Sequence, residues 1–186
     1  MRKLLQTILI AVIATGLSAC NSTQQVKTDK ASTNDVAAKL VYFEAHHDGR
    51  INVFDDSKTY LSFLSLGETS YRLTRIGAGP NGESVVFGLT KKDKKKRSGI
   101  KSVEMFDGKL VPSGPFYGEM LLHGRYYVFS TWKDLVAVKK VGEAAYRYTQ
   151  IGAGPDGKTV VYVLNKGNKK KKPVDLIAQF KELHRL

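Results

Sequence analysis

A gapless shift of 75 positions lays residues 42–97 on residues 117–172 with 25 of the 56 pairs identical. Unrelated chains of average composition would share about four. The longest common block is Ile76-Gly77-Ala78-Gly79-Pro80 against Ile151-Gly152-Ala153-Gly154-Pro155. A duplication of this size restricts the fold to arrangements that seat one unit twice, and two copies are too few to stack as a solenoid. The expectation is a pseudo-two-fold pair, with one unit over residues 36–112 and the second over 113–186. The two either share a core or stand as adjacent small domains.

Each copy reads in the same order. Residues 40–47 and 50–54 have strand character and flank Asp48-Gly49, a dipeptide suited to the positive φ angles of a tight hairpin; His123-Gly124 takes its place in the second copy. Asp56 or Ser57 can cap a short helix carrying Tyr60, Leu61, Phe63 and Leu64 and ending at Gly67. Its counterpart is capped near Thr131, carries Leu135, Val136 and Val138, and ends at Gly142. A second hairpin spans residues 71–89 around Gly77-Ala78-Gly79-Pro80-Asn81-Gly82. A helix closes each unit, over 99–106 and 173–184. The fold class is therefore α+β: two tandem β-β-α-β-β-(α) units, antiparallel sheets with helices packed on them. Val85-Val86-Phe87 and Val160-Val161-Tyr162-Val163-Leu164 are apolar on both faces and belong in a sheet centre.

The excess charge is concentrated. One basic run comprises Lys91, Lys92, Lys94, Lys95, Lys96 and Arg97, the other Lys166, Lys169, Lys170, Lys171 and Lys172. Beyond Arg2 and Lys3, the chain's Lys and Arg outnumber its 17 Asp and Glu by the eleven residues in these runs. The second run also abuts an expected helix N-terminus at Pro173, where cations oppose the helix dipole and an anion would be favoured. The alternatives are an anion-binding surface, for anionic lipid, lipopolysaccharide, peptidoglycan or an acidic protein, and a solvated loop kept soluble by charge. Nucleic acid fits less well, because no aromatics are interleaved in the runs for base stacking.

The first 20 residues address the chain. Arg2 and Lys3 precede an apolar stretch over 4–13, followed by small residues and Leu17-Ser18-Ala19-Cys20. This is the layout of an export signal, and its apolar run is too short for an ordinary membrane span of about 20 residues. Leu17-Ser18-Ala19-Cys20 resembles the lipobox of bacterial lipoproteins, with the chain's sole cysteine at the cleavage point. The resemblance implies removal of residues 1–19, lipidation of Cys20 with palmitate-type chains, and a membrane anchor. Asn21 after the cysteine implies the outer membrane, facing the periplasm. Residues 20–35 then read as the lipidated cysteine and a polar tether; 14 such residues span roughly 20 Å as a coil and about 50 Å at full stretch.

Other motifs have plainer explanations. The Gly-Ala-Gly-Pro-Asx-Gly loops lead into strands rather than a helix, and Pro80 and Pro155 lack an N–H, so they read as wide hairpins and not as phosphate cradles. Arg72 and Arg147 recur with Glu68 and Glu143 four residues earlier, which suggests an Arg–Glu pair at a strand start or two guanidinium groups offered to an anion. Tyr42 and Glu44 recur as Tyr117 and Glu119 and read as packing or sheet-edge residues. His46, His47 and Asp48 are adjacent and so point to alternate faces of a strand, no HExxH or Gly-x-Ser-x-Gly is present, and the one thiol is committed to lipid. No cofactor, metal site or catalytic residue is expected. The functional expectation is a non-catalytic binding or envelope-maintenance module in the bacterial cell envelope. A structural subunit of an envelope assembly and a cell-wall hydrolase are the alternatives.

Overall fold

Two kinds of strand occur in this chain, and their polarity decides where each lies. The computed structural model describes residues 39–186; the leader, Cys20 and the expected tether lie outside the described residues. The strands are β1 (Leu40–His47), β2 (Arg50–Phe54), β3 (Arg72–Arg75), β4 (Ser84–Gly88), β5 (Phe116–Leu122), β6 (Arg125–Phe129), β7 (Tyr146–Gln150) and β8 (Thr159–Leu164). The helices are α1 (Ser57–Leu66), α2 (Lys101–Phe106), α3 (Trp132–Val141) and α4 (Val174–His184). The class is α+β.

All eight strands join one mixed sheet in the order β3-β4-β2-β1-β5-β6-β8-β7. This corrects the expectation of antiparallel sheets, because β1 pairs with β5, β2 with β4, and β6 with β8 in parallel. The reason is polarity. β4 and β8 are apolar on both faces and must lie inside, whereas Arg72, Thr74 and Arg75 of β3 and Arg147, Thr149 and Gln150 of β7 can face water at an edge. The chain leaving β2 through α1 therefore lays β3 outermost and returns β4 beside β2, which makes that pair parallel.

The hairpins fall where the turn chemistry places them. Asp48 and Gly49, and His123 and Gly124, all have φ between 49° and 71°, the left-handed values a two-residue turn requires. Asp56 caps α1 by accepting from the Thr59 N–H at 2.8 Å, and Thr131 caps α3 by accepting from the Asp134 N–H at 3.2 Å. Gly67 and Gly142 end the two helices in the left-handed region.

The helices divide between the faces of the sheet. Tyr60 and Phe63 of α1 and Leu176, Ile177 and Phe180 of α4 cover Phe43, Ala45, Phe54, Tyr117, Tyr126 and Tyr162. On the opposite face Met105 of α2 and Leu135 and Val138 of α3 cover Tyr42, Ile51, Val53, Phe87, Met120 and Phe129. Close packing leaves no room at Gly88, where an added Cβ would overlap the ring of the fully buried Phe54. Gly88→Ala is expected to cost about 2 kcal/mol through overpacking. Guanidinium unfolding should show a lower midpoint at unchanged slope; an unshifted midpoint would mean that the ring moves aside freely.

The strand directions sort the connections. Every odd-numbered strand begins, and every even-numbered strand finishes, at one end of the sheet. All four hairpin turns lie at the other end. The first end, the connection end, is where the strands join the helices and long loops.

Candidate functional site: the cationic end of the sheet

The two basic runs follow β4 and β8, so both emerge at the connection end. Each winds into a single helical turn. In the first, Thr90 Oγ1 donates to Asp93 Oδ2 at 2.5 Å and the Lys94 N–H reaches the Thr90 carbonyl at 3.1 Å. In the second, the Asn168 side-chain oxygen accepts from the Asn165 N–H at 2.7 Å and the Lys169 N–H reaches the Asn165 carbonyl at 2.9 Å. A matched pair of cation–aromatic contacts fixes the turns to the sheet: Lys94 lies 4.7 Å from the Tyr71 ring centre and Lys169 lies 4.4 Å from that of Tyr146. Lys96 bonds Asp93 at 2.6 Å, and hydrogen bonds from Lys96 and Thr90 hold the Asp93 carboxyl below its ordinary value. All eleven basic residues are exposed. One carboxylate, Asp93, sits among the first six, so the local field stays strongly positive.

Position in the sheet sets the spacing. β4 and β8 are five strand positions apart, so the two loops stand roughly 24 Å from one another. Arg72 and Arg147 open the edge strands β3 and β7, which puts them at the same end but seven strand positions apart. They do not converge on one ligand. Arg147 lies 3.7 Å from Glu143, as expected of a helix-to-strand clasp, and donates to the Ala144 carbonyl at 3.3 Å. Among the described residues Arg72 and Glu68 make no such pair. The guanidinium with the firmest partner is one that sequence reasoning passed over, Arg75, which bonds Asp107 at 2.6 Å.

A cleft lies beneath each loop. The first, about 710 Å³, runs from the start of α1 to the first basic turn and is lined by Asp56, Thr59, Ser70, Tyr71, Lys91 and Lys96 among others. The second, about 820 Å³, occupies the matching place beside α3, with Asp134, Ala137, Tyr146, Val163, Asn165 and Lys166 in its wall. In the first cleft, burial raises the Asp55 carboxyl, against the bond it accepts from the Ser102 N–H at 2.8 Å. Its lining carries both signs of charge.

Of the two readings of the retained Tyr-x-Glu pairs, packing holds and the sheet edge does not. Glu44 and Glu119 lie on the two central strands, not at an edge, and each is sealed at 1% exposure or less. Glu44 accepts from the Tyr42 hydroxyl at 2.7 Å and from Lys139 of α3 at 2.6 Å, with His46 at 2.9 Å. Burial pushes its carboxyl up, but the bonds from His46, Lys139 and Tyr42 and the Lys139 charge outweigh that and hold it at about 2. On the opposite face Glu119 accepts from the Tyr117 hydroxyl, from Tyr60 of α1 at 3.1 Å, and meets His184 of α4 at 2.9 Å. Burial, reinforced by the neighbouring carboxylate, pushes the Tyr60 and Tyr117 hydroxyls well above the ordinary phenol value, so both remain donors. These carboxyls present no surface to a substrate and act as polar bolts between sheet and helices. A signal for them was present: a glutamate flanked by Phe43 and Ala45 in an otherwise apolar strand has to be bonded inside. Among the described residues no group of three or more His, Cys, Asp or Glu is placed to hold a metal ion, and no helix is long and apolar enough to cross a membrane.

Fold and site together define an α+β domain on one eight-stranded mixed sheet with a cationic end. Comparison with protein-family models, with curated proteins and with solved structures gave no match.

Proposed function

We propose that this chain is a lipoprotein precursor whose mature form is anchored through acylated Cys20, at the outer membrane facing the periplasm, and acts as a non-catalytic binding module for an anionic envelope component. The leader residues and the single cysteine at the cleavage point support the address. The observation that carries the binding role is the gathering of eleven exposed cations into two stacked, braced turns at one end of the sheet. A charge that served solubility alone would need no common end.

The domain is also proposed to be two copies of one unit over 36–112 and 113–186, related by a pseudo-two-fold axis lying in the sheet along the strands between β1 and β5. The 25 shared residues support this, as do a strand order that reads the same outward from β1 and from β5, and the placing of α1 and α3 on opposite faces.

The test has two parts. Radiolabelled palmitate should enter the wild-type protein and not Cys20→Ser. Binding to lipopolysaccharide, peptidoglycan sacculi or anionic vesicles should fall steeply between low and high salt, and by tenfold or more when either lysine run is changed to Gln. Binding that ignores both salt and the lysines would remove the reading. A second reading, a subunit of an envelope assembly, is favoured by Ile76 and Ile151, which stand 90% and 88% exposed at matching hairpin turns.

A further inference from the structure

We propose that the anionic component met by the two cationic turns is the headgroup surface of the same membrane that holds the anchor, with the sheet standing end-on to it. This rests on the lipoprotein reading above and names its partner. Lys39, the first described residue, leads into β1 at the connection end, where Leu40 N–H bonds the Pro115 carbonyl at 3.1 Å. β1 lies two strand positions from β4 and three from β8, so the chain from Cys20 arrives between the two turns, roughly 10 Å from one and 14 Å from the other. Eighteen residues lie between Cys20 and Lys39. A coil of that length would span roughly 25 Å, and a fully extended chain about 60 Å. The lead enters at the connection end, so that end is the one the anchor brings nearest the bilayer, and the two cationic turns flank the point of entry.

The spacing selects the ligand. A single phosphate or a short acidic peptide reaches one turn, whereas an anionic surface that extends sideways reaches both, about 24 Å apart on either side of the point where the chain enters. Attraction to such a surface decays over a Debye length of about 8–10 Å, so cations placed beside the anchor feel it and cations at the hairpin end would not. The hairpin turns, with Asp48, Glu83, Asp156 and Lys158, carry no comparable run. A wall polymer lying beyond the bilayer would face those hairpins and not the lysines.

The experiment places the full lipidated protein in supported bilayers of phosphatidylcholine, with and without phosphatidylglycerol, and reads the protein profile by neutron reflectometry. On the anionic bilayer the protein layer should abut the headgroups. High salt, or Gln at all eleven positions, should open a water gap comparable to the ~25 Å tether. A reduced variant that changes only Lys91, Lys92, Lys95, Arg97, Lys166 and Lys170, and keeps the lysines stacked on Tyr71 and Tyr146, should open the same gap and guards against misfolding. A profile identical on both bilayers overturns the proposal. Charge-blind bilayer profiles combined with lysine-dependent capture on sacculi overturn it while leaving the broader anionic reading intact. Protein that washes off both bilayers shows instead that the anchor itself is wrong.

Discussion

Lys139→Met is expected to destabilise the protein by about 3 kcal/mol at pH 7, because it strands a charge inside the sheet. The ammonium of α3 bonds Glu44 at 2.6 Å, and the carboxyl it serves is 1% exposed. The linkage has a definite sign. Glu44 in the folded protein is held at about 2, against an ordinary value of 4.5. Its contribution is therefore fully present above pH 4.5 and is lost as the pH falls toward 2, about 3 kcal/mol over that window. Wild type should lose stability steeply across it. The variant should lose much less, so the two unfolding curves should approach one another as the solution is acidified. Glu44→Gln in the Lys139→Met background should restore most of the loss, since removing both partners of a buried pair costs far less than removing one. Guanidinium unfolding from pH 7 to pH 2.5 measures all three proteins. A wild-type curve that is flat over this range would mean that Glu44 is not held by its bonds.

His184→Ala is expected to cost about 3 kcal/mol although it lies two residues from the C-terminus. Its side chain is 2% exposed, bonds both oxygens of Glu119, and packs against the rings of Phe180, Tyr126 and Tyr60 at 4.4, 5.3 and 6.4 Å. Alanine leaves a cavity among three aromatics and removes one of three donors from a carboxyl with no route to water. Removing only Arg185 and Leu186, both exposed, should change stability by a few tenths of a kcal/mol. The pair of unfolding curves separates loss of a seated side chain from fraying of the last helical turn. If the two changes cost the same, the imidazole is not seated.

Local chemistry was legible before the fold was. Asp48-Gly49, the Asp56 and Thr131 caps and the Gly67 and Gly142 stops each act through their own backbone or a neighbour within a few residues. Their elements accordingly fall at the expected positions. Strand order was not legible, because nothing within β3 or β4 states which strand each will meet. The hint lay in comparing the two: arginines in one and valines in the other separate edge from interior. At the site, the exposure and the common end of the basic runs follow from the sequence only once strand directions are known. The choice between packing and sheet edge for the glutamates stayed open for a related reason. Tyr42 and Glu44 look the same in a central strand as at an edge, and only α3, arriving from 95 residues away with Lys139, distinguishes the cases. Arg72 and Arg147 hold equivalent places in the duplicated sequence. Equivalent residues in a sheet extended at both edges finish far apart.

The parallel seam between β1 and β5 has a consequence for how this protein can come apart. Cutting it would bare six paired positions from Leu40 to Ala45 along one side and Phe116 to Leu121 along the other. It would also pull Lys139 from Glu44 and Tyr60 from Glu119, since each helix bolts into a strand of the opposite half. Each half keeps its helices over its own strands but sends one side chain, Lys139 or Tyr60, to a glutamate of the other, so a nick between them leaves the two clasped.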